Sequence, residues 1–203
     1  MSDDTPVIAG CSCIRAVHDD AGGRFDRRRV IRIAAASGVA MALGPLAPSA
    51  AHARPKAGDL LVADDAEGNP VAIKAADLTI GKPMLAFPFD PATQEIRSES
   101  RLNKLVLVKV AESDLDAETR ARAAGGVLAF SAICTHQACD VKTWAAADKS
   151  LVCFCHSSKF KPLEAGRVSD GPAPRALPML PLKLQDGRLA VAAPFLTPPG
   201  AAA

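Results

Sequence analysis

The chain has 203 residues, a formal net charge of +2 at neutral pH and a hydrophobic fraction of 49%. The near balance of 24 basic and 22 acidic residues excludes the strongly basic composition of a nucleic-acid-binding protein. The less common residues are more informative, because the chain has six cysteines and four histidines but no tyrosine.

The first part of the chain has the features of an export leader. Three arginines at 27–29 precede a hydrophobic pair and a further basic residue, and an alanine-rich apolar stretch runs from Ile33 to about Ala51. This arrangement resembles a twin-arginine signal, and the small residues at 51–53 are typical of a cleavage site. We therefore expect residues 1–53 to be a leader that directs the protein to the periplasm by the twin-arginine route. The alternative is that the apolar stretch is retained as a membrane anchor, since its length is near the minimum for a span.

After the leader, short apolar or alternating runs predict β-strands. These runs lie between glycine, proline and aspartate residues, at Leu60–Val62, Val71–Ile73, Leu105–Val110 and Val127–Ile133. A further hairpin is predicted over residues 183–191, because Asp186-Gly187 suits a tight two-residue turn.

Two other segments carry local predictions. Residues Asp114–Ala124 predict a helix that Ser113 or Asp114 caps and that the glycines at 125 and 126 end. Prolines at 83, 88 and 91 predict an irregular loop around Phe87–Asp90 rather than a central strand.

Two short segments contain four of the six cysteines and two of the four histidines. The first reads Cys134-Thr135-His136-Gln137-Ala138-Cys139, and the second reads Cys153-Phe154-Cys155-His156-Ser157-Ser158. Thiolate and imidazole donors together suit iron or zinc. A structural zinc site is a remote alternative, because zinc spacings usually place two cysteines in one knuckle and two histidines in another. A catalytic Cys–His pair would need only one of the two segments.

The two segments resemble the Rieske pattern Cys-x-His-x-x-Cys followed by Cys-x-Cys-His-x-Ser. The resemblance extends from about Leu105 to Phe195, and it implies one [2Fe-2S] cluster of the Rieske type. By this resemblance, Cys134 and Cys153 bind one iron, and His136 and His156 bind the other. Replacing two thiolates by imidazoles leaves the oxidised centre formally neutral, so its reduction potential should exceed that of an all-cysteine cluster.

The resemblance also implies roles for residues around the cluster. Cys139 and Cys155 match the cysteines that form a disulfide in the Rieske subunits of cytochrome bc complexes and in the small subunits of arsenite-oxidase-type molybdenum enzymes. Ser158 matches a serine that bonds a bridging sulfide. Gly171 and Pro172 begin a Gly-Pro-Ala-Pro segment that matches the proline loop covering the cluster.

Four positions depart from the family pattern. Ala138 and Ser157 stand where glycine is common, which would tighten the loops if glycine dihedrals are required there. Phe154 stands where proline is common. Phe160 stands where quinol-oxidising members have a tyrosine that bonds a ligand sulfur. Because the chain has no tyrosine, we expect a potential below that of quinol-oxidising Rieske centres.

The strand pattern and the resemblance together predict an all-β fold, namely an antiparallel β-sandwich with an inserted small cluster-binding subdomain, the Rieske fold. We expect the domain to occupy residues 54–195 and the cluster-binding subdomain to occupy about 133–177. The proline- and alanine-rich tail 196–203 is expected to be disordered.

The function implied is one-electron transfer in the periplasm, with a chain that is not catalytic alone. The partners would be a larger catalytic oxidoreductase subunit, either a molybdenum enzyme or a cytochrome b, and a cytochrome acceptor. A loose similarity at Leu78–Pro83 and the aromatic-proline run after it favours the arsenite-oxidase type. The alternatives are the Rieske subunit of a quinol-oxidising bc complex, a free-standing redox carrier and, more remotely, a zinc-stapled binding module. No nucleic-acid partner is expected, and membrane contact only if the leader is retained.

Overall fold

The computed structural model describes residues 54–66 and 68–201. The predicted leader, with its twin-arginine motif and cleavage site, lies outside the described residues. Within the described ranges, no helix is long and apolar enough to cross a membrane.

The described residues are organised mainly as short β-strands. The strands are β1 (Leu60–Ala63), β2 (Met84–Asp90), β3 (Glu95–Ile96), β4 (Leu105–Lys109), β5 (Val127–Ser131), β6 (Thr143–Ala145), β7 (Ser150–Cys153), β8 (Ser158–Lys161), β9 (Arg167–Asp170), β10 (Met179–Leu180), β11 (Leu182–Gln185) and β12 (Arg188–Val191). A one-turn helix α1 spans Ala117–Arg120, and 3-10 turns occupy Ala75–Asp77, Arg101–Asn103, Glu112–Asp114 and Pro162–Glu164.

The strands form two antiparallel sheets. The larger sheet has eight strands in the order β10-β5-β4-β2-β1-β12-β11, with β3 paired to β2. The smaller sheet has the order β6-β7-β8-β9. In the chain, the whole small sheet lies between β5 and β10, which are hydrogen-bonded neighbours in the large sheet. The predicted all-β fold with an inserted small subdomain is therefore confirmed.

Strands β4 and β5 separate the two main parts of the core. Successive side chains of a strand point to opposite faces, and both faces of this pair are buried, which explains why their sequences are almost continuously apolar. Val106, Val108, Leu128 and Phe130 belong to a buried cluster shared with Leu151 and Phe160 of the small sheet. Leu105, Leu107, Val127 and Ala129 belong to a second cluster, with Leu61 and Leu189 of the large sheet.

One predicted strand and one predicted loop come out differently in the structure. At Val71–Ile73 there is no strand but an isolated bridge between Ala72 and Val62.

Conversely, β2 is a central strand that includes Pro88, opposite Leu61 of β1. Pro88 lies beyond the residues of β2 that pair with β4 and before those that pair with β3. The missing N–H of proline therefore removes no bond to either of these two strands.

The predicted helix over Asp114–Ala124 is much shorter than expected. Asp116 caps α1 by accepting a hydrogen bond from the Thr119 N–H at 2.6 Å. Beyond α1, the backbone does not continue the α-helical bonding. The Ala123 N–H donates to the Arg120 carbonyl at 3.1 Å, as in a tighter turn. The Ala124 N–H, which a helix reaching Ala124 would donate to the Arg120 carbonyl, donates to the Val127 carbonyl at 3.0 Å instead.

A buried ion-pair network stabilises one end of the large sheet. Arg97 is only 6% exposed and Asp59 only 3%. The Arg97 guanidinium donates to both carboxylate oxygens of Asp59, at 2.7 and 3.0 Å, and to Asp90 at 2.8 Å. Asp59 raises the pKa of Arg97 through this hydrogen bonding. The Asn103 side chain also donates to the Arg97 carbonyl at 3.1 Å, so backbone and side chain are both fixed.

Residues 196–201, the described part of the segment expected to be a disordered tail, make three hydrogen bonds to other parts of the chain. The Leu196 N–H donates to the Met179 carbonyl at 3.1 Å. The Arg175 side chain donates to the carbonyls of Pro198 at 2.9 Å and Gly200 at 2.8 Å.

Candidate metal centre

The first cysteine–histidine segment forms a tight turn after β5. The Cys134 N–H donates to the Cys139 carbonyl at 2.8 Å, and the Ala138 N–H donates to the Cys134 carbonyl at 3.1 Å. Ala138 has a φ of +57°, in the left-handed region that favours glycine. The turn therefore brings the two cysteines of this segment close together. It does so with an alanine in a backbone conformation that glycine adopts at lower energy.

The second segment is the loop of the β7–β8 hairpin. Cys153 ends β7 and pairs with Ser158, the first residue of β8, so the loop consists of residues 154–157. Ser157 has a φ of +57°, again at a position where glycine is common in the family. Phe154 is 73% exposed at the loop tip.

The two loops meet and bring like residues together. Cys139 and Cys155 form a disulfide with a Cα–Cα distance of 6.5 Å. The rings of His136 and His156 are nearly perpendicular, with centroids 4.6 Å apart. Cys134 and Cys153 are unoxidised and each is 1% exposed. His136 is half-buried and His156 is exposed, so the thiols lie inside and an imidazole lies at the surface.

The two buried thiols make an unfavourable site for thiolates without a cation. Burial raises the pKa of the Cys134 thiol, and the Cys153 thiol that contacts it raises the pKa further. The backbone N–H groups of His136 and Gln137 lower it by a smaller amount. Two adjacent buried thiols of this kind suit a bound metal, whose positive charge would compensate both thiolates.

Two polar atoms at the same place are buried without a hydrogen-bond partner among the described residues. They are Nδ1 of His136 and Oγ of Ser158. Buried polar atoms without partners are rare in folded proteins and need an explanation. A ring nitrogen that binds iron and a hydroxyl that donates to a cluster sulfide would both be satisfied. The donor set therefore fits a [2Fe-2S] cluster.

The geometry does not suit a single zinc ion. Among the residues that the structure describes, the group whose ligand atoms lie within 4.8 Å of one another is Cys139, Cys153 and Cys155. Two of these three sulfurs are joined in the disulfide, so they are not thiolate ligands. The four predicted ligands do not form such a group, although zinc–ligand distances of about 2.0–2.3 Å require one.

A third loop, between β9 and β10, closes the site. Gly171 has a φ of +81°, and a Cβ there would lie 2.5 Å from the Ser158 Cα. Any larger residue would push this loop away from the second segment. Pro172 follows on the exposed side, and Ala173 is 8% exposed in the core cluster that contains Cys134 and Cys153.

One functional contact was missed by the sequence reasoning. The Thr135 hydroxyl donates to the Arg175 carbonyl at 2.8 Å and so joins the first segment to the third loop. Thr135 is completely buried. It occupies an unspecified position of the Cys-x-His pattern, so the motif gives no signal for its role.

Phe160 is completely buried in β8, opposite Leu151. It belongs to the same buried cluster as Cys134 and Cys153. An aromatic residue at this position is therefore packed against the interior of the site rather than exposed to a partner.

Comparison with known families agrees with this geometry. Residues 93–181 match the family model of the Rieske [2Fe-2S] domain. The matched residues therefore form a Rieske domain, whose cofactor is a [2Fe-2S] cluster.

Curated relatives are Rieske subunits of respiratory complexes. The Rieske iron–sulfur subunit of the cytochrome bc1 complex of Corynebacterium diphtheriae is 40% identical over 79 residues, which is 38% of this chain and 20% of that protein. A putative respiratory nitrate reductase Rieske subunit of Haloferax mediterranei is 36% identical over 138 residues, which is 67% of this chain and 58% of that protein. The matches span less than two thirds of the length of these two relatives.

Among solved structures, the plasma membrane Rieske protein of the cyanobacterium Synechocystis PCC 6803 is 24% identical. The match covers 61% of this chain and 99% of that chain, with a TM-score of 0.41.

Proposed function

We propose that this chain is an exported one-electron-transfer subunit of a larger oxidoreductase. In the proposed centre, Cys134 and Cys153 bind one iron, and His136 and His156 bind the other. The observation that carries the proposal is the pair of adjacent imidazoles, one half-buried and one exposed, together with two buried thiols.

Each group of residues has a distinct task in this proposal. The cluster, when bound, supplies one-electron oxidation and reduction. Cys134 and Cys153 hold their iron away from water, because both side chains are buried. The exposed ring of His156 gives a partner a short path to the centre. The Cys139–Cys155 disulfide and the Gly171 contact hold the loops in place while the charge changes. No substrate pocket or general acid is required, so the chain is not catalytic alone.

For the partner, we favour a larger catalytic subunit of the arsenite-oxidase type, with a cytochrome as electron acceptor. Phe160 supports this choice, because no tyrosine hydroxyl is available to bond a ligand sulfur as in quinol-oxidising members. The match of 138 residues to a subunit named for a nitrate reductase is also consistent with service to a catalytic oxidoreductase.

A quinol-oxidising cytochrome bc complex is the second candidate. The 40% identity to a bc1 Rieske subunit over 79 residues favours it. In that case a histidine of the pair would accept a hydrogen bond from the quinol, and the chain would be expected to remain at the membrane.

We further propose export by the twin-arginine route. That route carries folded proteins, which suits a protein whose cluster is inserted before export. An oxidising periplasm would also preserve the exposed Cys139–Cys155 disulfide.

The test is native purification of the full chain through a tag placed after Ala203, with analysis of iron, acid-labile sulfide, zinc, molybdenum and haem. Iron and sulfide in equal amounts, together with a large molybdenum subunit, would support the first candidate. A cytochrome b in detergent-solubilised membranes would support the second. Zinc without iron would contradict the ligand assignment, and an iron-loaded chain with no partner would contradict both subunit proposals in favour of a free-standing carrier.

A further inference from the structure

The third loop of the site is connected to the end of the chain through Arg175. This residue directly follows the Gly171–Pro174 segment. Its carbonyl accepts the hydrogen bond from the Thr135 hydroxyl at 2.8 Å, so its backbone lies against the first cysteine–histidine segment. Its side chain extends towards the C-terminal segment, which we define as residues 194–201.

The Arg175 guanidinium is the main polar link to this segment. Nη2 donates to the carbonyls of Pro198 at 2.9 Å and Gly200 at 2.8 Å. Prolines at 198 and 199 restrict the backbone and provide no N–H groups. The segment therefore cannot extend a sheet through these two prolines, and their part of the segment is held through the carbonyls of Pro198 and Gly200. Nearer its start, the Leu196 N–H donates to the Met179 carbonyl at 3.1 Å. Ordering a proline-rich segment also costs less conformational entropy than ordering an unrestricted one.

The C-terminal segment leads back to the first cysteine–histidine segment by a second route. A Cβ on Gly200 would lie 3.1 Å from Leu102 Cδ2, so the segment packs closely on the turn that contains Leu102. The neighbouring Arg101 forms an ion pair with Asp140 at 2.8 Å. Asp140 pairs with Ile133 at the base of the first segment. A closed series of contacts therefore surrounds the first cysteine–histidine segment. It runs through Thr135, Arg175, the C-terminal segment and the Arg101–Asp140 ion pair.

We propose that Arg175 is a positioning residue that uses the C-terminal segment to hold the third loop against the cluster-binding segments. The inference rests on the proposed cluster site but does not depend on the electron-transfer partner. Nothing in the motifs assigns a role to Arg175 or to residues 196–201. The physical argument is that two hydrogen bonds from one half-buried guanidinium fix a loop that otherwise contacts the site through Gly171 and Thr135.

The experiment uses the full-length, cluster-loaded protein and three changes: Arg175→Ala, truncation after Phe195, and both together. Cluster loss is followed by visible absorbance in the presence of an iron chelator. Each single change should accelerate the loss roughly five- to tenfold, as expected for losing one or two hydrogen bonds. The combined change should be no faster than the faster single change, because both break the same connection. Arg188→Ala is the matched control, since among the described residues the Arg188 side chain bonds only Gln185 and Asp186 of its own β11–β12 hairpin.

Two further measurements separate positioning from general destabilisation. Hydrogen exchange should increase in residues 133–140 and 171–178 but not in β11 and β12. The electron paramagnetic resonance signal of the reduced cluster should broaden, since a loosened loop gives the cluster several environments. Three results would overturn the proposal. They are a rate of cluster loss that truncation leaves unchanged, effects of the two changes that multiply in the combined variant, and hydrogen exchange that rises equally throughout the chain. If the unmodified protein holds no cluster, the proposed ligand set fails instead.

Discussion

The large sheet and the cluster-binding loops are stabilised in different ways. In the large sheet, two apolar clusters on opposite faces of β4 and β5 provide extensive hydrophobic burial, and Arg97 completes a buried ion-pair network. In the loops, order depends on a few connections: one disulfide, the Gly171 contact and the hydrogen bond from Thr135 to Arg175.

The loops also contain features that lower stability. Two of them would be relieved by a bound metal: the buried thiols of Cys134 and Cys153, and the His136 Nδ1, which has no hydrogen-bond partner among the described residues. The third is the left-handed backbone at Ala138 and Ser157. The difference indicates that burial in the sheet stabilises the fold, and that this stability offsets the destabilising features of the loops that form the metal site. Changes in the sheet should therefore alter unfolding, whereas changes in the loops should alter the cluster.

The largest effect should come from removing a ligand. Cys134→Ser or His156→Ala should abolish the cluster, because each removes one of the four proposed donors, while the far-ultraviolet circular dichroism of the sheet should persist. Iron content and visible absorbance provide the measurement. The matched control is Cys139→Ser, which breaks only the disulfide and should give a cluster that assembles anaerobically but is lost faster. Retained absorbance in Cys134→Ser would refute the assignment, and complete loss of iron in Cys139→Ser would require the two roles to be exchanged.

The next largest effect should arise in the sheet. Arg97→Ala leaves Asp59 buried without its cation and should lower the free energy of unfolding by about 3 kcal/mol. Chemical denaturation of the metal-free protein measures this. Arg188→Ala, which removes an exposed pair with Asp186, should change the same quantity by less than about 1 kcal/mol. Equal effects of the two substitutions would show that the buried network does not stabilise the sheet.

A smaller effect is expected on the reduction potential. In Phe160→Tyr, a hydroxyl within the buried cluster that contains both ligand cysteines should donate to a sulfur and raise the potential. One hydrogen bond of about 1 kcal/mol corresponds to roughly 40 mV for one electron. Redox titration tests the rise, and Phe154→Tyr is the control, because Phe154 is 73% exposed and its hydroxyl would face water. An unchanged potential in Phe160→Tyr would remove the argument that the missing tyrosine lowers it.

The smallest effect concerns the left-handed residues. Ala138→Gly should relieve about 1–2 kcal/mol of backbone strain, offset by about 0.5–1 kcal/mol of added freedom in the unfolded chain. Cluster loss should therefore slow about twofold. Ala165→Gly makes the same change at a φ of +51° outside the two cysteine–histidine segments, and it should alter unfolding without changing cluster retention. Faster cluster loss in Ala138→Gly would mean that the alanine side chain stabilises the loop more than its strain costs.

Much of this protein was predictable because the relevant information is local. Apolar runs predicted β4 and β5, and Asp186-Gly187 predicted the β11–β12 hairpin, which is confirmed by the pairing of Gln185 with Arg188. The kind of cofactor also follows from short patterns, because the two cysteine–histidine segments match the Rieske motif, which holds a [2Fe-2S] cluster. At Ala138 and Ser157, where glycine is common in the family, both backbones have a φ of +57°.

The remainder depended on residues that are distant in the chain. The chain after α1 bonds to a distant residue, because the Arg122 carbonyl accepts from the Leu182 N–H. Pro88 lies within a central strand because its position falls between the β4 and β3 pairings. The carbonyls of Pro198 and Gly200 are hydrogen-bonded because Arg175 reaches them over 23 to 25 positions. The sequence by itself determined most of the strand pattern and the cluster chemistry. Only the tertiary structure decided which buried donors and acceptors meet, since such bonds depend on proximity in space and not on spacing along the chain.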